Sequence, residues 1–145
     1  MSNVESAVLC FKEGFACSQA LVSTYGVPLG LDRKNALKIS GVFRGGMAHM
    51  GETCGAVTGA FMVIGLKYGN IEVNDEKAKE MTTKLAREFA DKFKALNGSI
   101  LCRELLGCDI STPEGMKLAK ERRLFETVCP NFVQSAAEII EEKIL

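Results

Sequence analysis

CGAVTGAFMVIGLKYG, residues 54 to 69, decides the fold. Its centre, FMVIG, is an apolar run short enough to be a buried strand. No turn signals bound that run and its neighbours are helical in character, so the segment is expected to be a helix closing at Gly69. Gly55 and Gly59, with Ala56 and Ala60, give this helix a side of small residues. Such a side lets another helix backbone come close, which puts the helix at the centre of a bundle. From Cys54 to Leu66 the stretch is apolar but too short to span a bilayer, and it contains three glycines.

Outward from this segment the chain divides into further helices. On the N-terminal side, Val4, Val8, Phe11 and Phe15 fall on one helical stripe ending near Gly14. CSQALVSTYG starts a second helix at Cys17 or Ser18 and stops before Gly26 and Pro28. Asp32 is the expected N-cap of DRKNALKIS. GVFRGGMAHMG, before the central helix, is glycine-rich and without period. On the C-terminal side, Asn74 or Asp75 caps a long helix whose Ala78, Met81, Leu85, Phe89, Phe93 and Leu96 line one face, and Asn97-Gly98 ends it. Ser99 opens the short SILCRELLG. Ser111, with Pro113 and Glu114, reads as a capping box for the next helix. Pro130 ends ETVCP and begins PNFVQSAAEIIEEKIL. No strand pattern survives. The expectation is an all-α fold, one compact domain over residues 1–145, a bundle of about seven or eight helices around a central Gly/Ala-rich one.

The 145 residues suffice for a real core. The 18 basic and 18 acidic side chains cancel, so nothing electrostatic argues for nucleic acid or an acidic membrane surface. The first twenty residues lack a basic n-region and carry Glu5 and Glu13, unlike a signal peptide. These features point to a cytoplasmic protein with no membrane insertion.

Six cysteines are many for such a setting, where thiols more often bind metals or do chemistry than form structural disulfides. Their positions discriminate among them. Cys17 opens the second helix, Cys54 the central one, Cys102 lies in the first turn of SILCRELLG, and Cys129 directly precedes the proline of the last helix. Helix N-termini, with their unpaired N–H groups and dipole, favour an anion. A thiol pKa there falls from about 8.5 to roughly 3.5–7.5 in favourable cases. Serine would cap such a helix without supplying a nucleophile or a soft ligand. Cys10 lies off its helix's apolar stripe and reads as bland. Cys108 is either a loop thiol near Cys102 or filler. There is no CxxC, so any cluster must be assembled by the fold. Several thiolates in one dry pocket repel, and either pair as reversible disulfides or need a cation such as zinc or iron. His49, the single histidine, reads equally as a base for Cys54, a fourth ligand, or a solvated loop residue. Arg44-Gly45-Gly46 could offer backbone N–H groups to an anion as a nest, a weak signal by itself. Arg103-Glu104 and Glu121-Arg122-Arg123 read as solvated helix faces.

GFACSQA, GGMAHMGETCGAVTGA, CRELLGCD and CPNFVQSAAEII, in that order, resemble the redox-active protein family named for its C_GCAxxG_C_C cysteine signature. The resemblance spans nearly the whole chain. It implies that Cys17, Cys54, Cys102 and Cys129 are the signature cysteines, with Gly55, Ala56 and Gly59 completing the central motif. Cys10 and His49 stand outside it.

Three functions compete. The first is a thiol redox protein, in enzyme terms a thiol oxidoreductase, working without a cofactor through thiol–disulfide exchange or electron transfer. Cys54 would be its reactive thiolate, resolved by Cys17, Cys102 or Cys129. The second is a metal-binding module in which the same four cysteines ligate an iron–sulfur cluster or zinc. The third is a structural or partner-binding helical domain. No redox partner can be read from the sequence, and a homo-oligomer remains open.

Overall fold

The computed structural model describes residues 1–145. In chain order the α-helices are α1 (Asn3–Lys12), α2 (Cys17–Gly26), α3 (Arg33–Ser40), α4 (Gly55–Tyr68), α5 (Glu76–Asn97), α6 (Cys102–Leu106), α7 (Pro113–Glu121), α8 (Leu124–Thr127) and α9 (Cys129–Ile139). A π-helical stretch, Ile140–Ile144, continues α9. Eight of these helices have five residues or more and α8 is a single four-residue turn, which bears out an all-α bundle of seven or eight helices. The FMVIG run is helical, inside α4. The only extended pairing is an isolated antiparallel bridge between Thr53 and Leu101. No helix is long and apolar enough to cross a membrane.

The expected end signals mostly act as caps. Asp32 accepts a hydrogen bond from the Asn35 amide at 3.1 Å, Asp75 accepts one from Ala78 at 3.1 Å, and Gly98 closes α5 at φ 93°. One cap is displaced by a residue. Thr112, not Ser111, caps α7, accepting from the Gly115 amide at 3.0 Å. Pro113 occupies the first helical position, where its missing N–H costs nothing, and this makes its predecessor the cap.

Helix α4 packs against α2, α5 and α9. Its small side faces α2 as the sequence suggests. A methyl group on Gly59 would stand 3.0 Å from Ser18 Cα, and one on Gly55 would stand 3.0 Å from the Ser18 amide nitrogen. Ser18 is fully buried, and its hydroxyl donates to the Ser40 carbonyl at 2.8 Å, fixing α2 to the end of α3. On the other side, Phe89 and Phe93 of α5 stack 6.0 Å apart, and Phe93 meets Phe132 of α9 at 6.3 Å.

Two expected stripes differ from the structure. On α5 the middle of the apolar face is buried, but Met81 and Leu96 are 46 % and 59 % exposed. With 22 residues α5 is longer than the 14-residue α4 it lies on, by about 12 Å at 1.5 Å per residue, so its ends overhang. On α1 the fully buried positions are Ala7 and Cys10, while Val4, Val8 and Phe11 are half-buried. Small residues let α1 approach its neighbours closely. Cys10 therefore belongs to the core face rather than lying off it, with its sulfur 3.8 Å from the Ser23 hydroxyl.

Gly59→Ala should destabilise the protein by about 1–3 kcal/mol, because the added carbon meets backbone that cannot rotate away. Urea unfolding measures this. The same variant should slow alkylation of Cys54, although Gly59 does not line its pocket, because it pushes α2 away from α4. Unchanged unfolding would refute the close approach.

Candidate functional site: a pocket lined by four thiols

Each of the four N-terminal cysteines is where its helix begins. Cys54 is the N-cap of α4, and Cys17, Cys102 and Cys129 are the first residues of α2, α6 and α9. The fold brings these four helix starts onto one pocket of about 500 Å³. All six cysteines are free thiols. Cys10 and Cys108 do not line the pocket.

Local backbone chemistry explains the convergence. The Cys54 amide donates to Ile100 at 2.8 Å and the Cys102 amide donates to Glu52 at 2.6 Å. These two bonds flank the Thr53–Leu101 bridge and tie the start of α4 to the start of α6. At the start of α2, Gln19 reaches back to accept from the Ala16 amide at 2.9 Å and donates to Leu37 at 2.9 Å, which holds the first turn bearing Cys17. Cys129 is set by Pro130, which fits the first turn of α9.

The glycine-rich loop before Cys54 forms another wall. Five consecutive residues, Gly45 to His49, have positive φ, between 51° and 71°. Three of them, Met47, Ala48 and His49, are not glycine, and left-handed backbone costs roughly 1–2 kcal/mol for each such residue. Hydrogen bonds across the turn hold it, including Ala48 to Val42 at 2.7 Å and Glu52 to Gly46 at 2.9 Å. Gly46 is required twice over: its φ is 71°, and a Cβ there would sit 2.7 Å from Cys102 Cβ. The amides of Gly45 and Gly46 donate to nothing in the chain, and both residues line the thiol pocket. Arg44 is extended and Gly45 and Gly46 are both left-handed, so the segment lacks the alternating right- and left-handed backbone of a nest.

The thiols differ in their affinity for protons. Cys54 is held below the ordinary thiol value of 9.0, chiefly by the neighbouring Cys17 thiol and against the cost of burial; the amides of Ala56 and Val57 at the start of α4 add to the effect. Cys17 is pushed well up by being the partner of Cys54, then by burial, then by the charges of the other three thiols. Burial, followed by the charge on Cys54, raises both Cys102 and Cys129 to about 12. Cys108 and Asp109 also act on Cys102. Of the four, Cys54 is thus the thiol that ionises most readily, and its charge together with burial opposes ionisation of the others. His49 lines the rim but is not among the groups that shift Cys54.

No three His, Cys, Asp or Glu side chains stand as a ready ligand set for a single metal ion. The apolar walls were not legible in the sequence. Phe11 and Phe15, from the end of the N-terminal stripe, meet Phe125 of α8 and Phe132 of α9 on the pocket, a meeting that no spacing in the chain announces. Arg103 and Glu104 are exposed, as a solvated helix face should be; on that face Arg103 pairs with Glu52 at 3.1 Å beside the bridge, and Glu104 accepts from the Ser99 hydroxyl at 2.6 Å.

Fold and site together define an all-α protein with four thiols on one pocket. Residues 15–143 match the family model described as "Putative redox-active protein (C_GCAxxG_C_C)", and the chain belongs to that family. Its description supports a redox role in general. Comparison with curated proteins and with solved structures gives no significant match.

Two outcomes test the electrostatics. Iodoacetamide labelling read by peptide mass spectrometry should give Cys54 a pH midpoint below 9.0, since a lowered pKa supplies thiolate at lower pH, while Cys102 and Cys129 label only towards 12. Equal labelling of Cys54 and Cys10 at neutral pH would remove the activated thiolate. The raised thiols act on folding in the other direction. Their neutral forms are favoured in the folded state, so stability is full below the ordinary 9.0 and is lost as pH rises towards 12. Thermal melts across that range should fall, and fall less in Cys102→Ala.

Proposed function

We propose that the protein is a thiol redox protein in which Cys54 is the attacking thiolate and Cys17 resolves the intermediate. The observation that carries this is geometric: Cys17 and Cys54 line one pocket at the adjoining N-termini of α2 and α4, where a Cβ on Gly55 would stand 3.3 Å from Cys17 Cβ, and of the two thiols Cys54 is the one held lower. The reaction is thiol–disulfide exchange. The Cys54 thiolate attacks one sulfur of a disulfide R–S–S–R, forming a mixed disulfide and expelling RS⁻. Cys54 is then neutral, and the charge that held the proton on Cys17 has gone. Cys17 passes its proton to the departing RS⁻, attacks the Cys54 sulfur, and expels a second RS⁻. The protein ends with a Cys17–Cys54 disulfide, oxidised by two electrons, and the substrate is reduced to RSH and RS⁻. A reducing, cytoplasmic setting suits such a chain of free thiols.

A second reading keeps one observation in its favour: four cysteines and no other soft donor face one pocket, the ligand set of an iron–sulfur cluster. Cys17, Cys54, Cys102 and Cys129 would hold it, and it would supply one-electron transfer. A single zinc ion suits the arrangement less well, because no three donors are gathered for it. Anaerobic purification with a visible spectrum and metal analysis separates the two readings.

For the exchange reading, reduced protein is treated with a disulfide and the products are followed by intact mass. Cys54→Ser should leave no rapid reaction. Cys17→Ser should accumulate the mixed disulfide on Cys54. Both variants should keep the helical circular dichroism of the parent; an unfolded Cys54→Ser would favour a purely packing role.

A further inference from the structure

The Cys54 sulfur lies inside a cavity, and only 6 % of the residue is exposed. The cavity holds about 500 Å³, within the roughly 300–1,000 Å³ usual for small-molecule sites. A disulfide held in a folded protein reaches a recessed thiolate less readily than a free one does. The walls are aromatic, formed by Phe11, Phe15, Phe125 and Phe132. The rim carries Lys12, Arg44 and His49 against a single acid, Glu126. That acid is already neutralised by Arg123, on which its carboxylate forms a hydrogen-bonded ion pair. Lys12 and Arg44 have no carboxylate partner; Arg44 donates through Nε only to the Gly41 carbonyl, at 2.8 Å. The amides of Gly45 and Gly46 on the same side also lack an acceptor. The Cys102 and Cys129 thiols line the cavity as well, each 8 % exposed and without a hydrogen-bond partner.

We infer that the substrate of the thiol pair is a low-molecular-weight disulfide with an apolar, aromatic-sized body and a carboxylate or similar anion, seated with its body on the phenylalanines and its anion towards Lys12, Arg44 and the Gly45–Gly46 amides. This rests on the exchange reading above and names its substrate class. The electron balance is that already given: one small disulfide becomes two small thiols, and Cys17 and Cys54 become joined.

The test uses the reduced full chain and three probes: dithionitrobenzoate, an aromatic dianion; dithiodipyridine, aromatic and uncharged; and insulin, a protein disulfide. Initial rates are divided by those of free cysteine with the same reagent. The dianion should be favoured over the uncharged probe by about tenfold beyond free cysteine, as a focused positive site requires. Insulin should react slowest. Lys12→Gln and Arg44→Gln should each lower the preference for the dianion by up to about fivefold, while Lys12→Arg retains it. A preference equal to that of free cysteine, a ratio unmoved by both glutamine variants, or rapid insulin reduction would overturn the substrate assignment while leaving exchange intact. If neither small probe modifies Cys54 faster than Cys10, the exchange reading itself fails.

Discussion

The contact on which the structure depends is backbone against backbone. Gly55 and Gly59 let α4 come within a carbon's width of α2 at Ser18, and this close approach sets the start of one helix against the start of the other. Cys17 and Cys54 are neighbours because of it. Ordinary helix packing at 8–10 Å, with side chains interleaved, would leave room between the two helix ends for a third side chain. The glycines and the Cys17–Cys54 pair are therefore parts of one arrangement, and in the exchange we propose the central Gly/Ala pattern places the thiols without touching a substrate.

Four helix starts meet at one pocket; those of α2, α4 and α9 turn the positive ends of their dipoles towards it, whereas the first amides of α6, those of Cys102 and Arg103, are already taken by the Glu52 and Gly51 carbonyls. Thiols are the groups that can answer such a field with negative charge near neutral pH. Burial sets the opposing limit. Burial first, and then the charge on Cys54, raises Cys102 and Cys129 to about 12. In the exchange we propose, this arrangement supplies a single nucleophile with protonated thiols around it, which suits stepwise exchange better than several simultaneous attacks. It also implies that a cation placed in the pocket would change every thiol at once.

The helices were legible because their ends are written in the sequence: Asp32, Asp75, Gly98 and Pro130 act where side-chain chemistry says they should. The four cysteines were legible for the same reason, being helix-end residues whose type makes little sense as caps. What the sequence hid is set by the relative position of segments. Nothing in α1 shows that Ala7 and Cys10, rather than the larger Val4 and Val8, face inward, because that depends on how near its neighbours come. Met81 and Leu96 repeat with perfect helical period yet are exposed, because period does not report how long the neighbouring helix is. Phe11 and Phe15 share a stripe, but nothing in their spacing announces that they meet Phe125 and Phe132 across the pocket. The capping box was misread by one residue because Ser111 and Thr112 are both good caps and only the position of Pro113 chooses between them.

The left-handed turn from Gly45 to His49 remains to be accounted for, since its three non-glycine residues make it expensive. A relaxed loop would join α3 to α4 without that cost. The turn does two things that a relaxed loop does not. It presses Gly46 against Cys102, closing the wall of the pocket beside α6, and it leaves the Gly45 and Gly46 amides unpaired towards the cavity. Strained backbone persists only where its surroundings over-determine it, and here the bonds from Ala48, His49, Gly51 and Glu52 do so. Relaxing the exposed Ala48 to glycine should therefore raise the thermal midpoint by the equivalent of about 1 kcal/mol without altering the rate at which Cys54 is alkylated. A loss of Cys54 reactivity in Ala48→Gly would mean that the strain itself, and not only the position it enforces, is part of how the thiolate is kept.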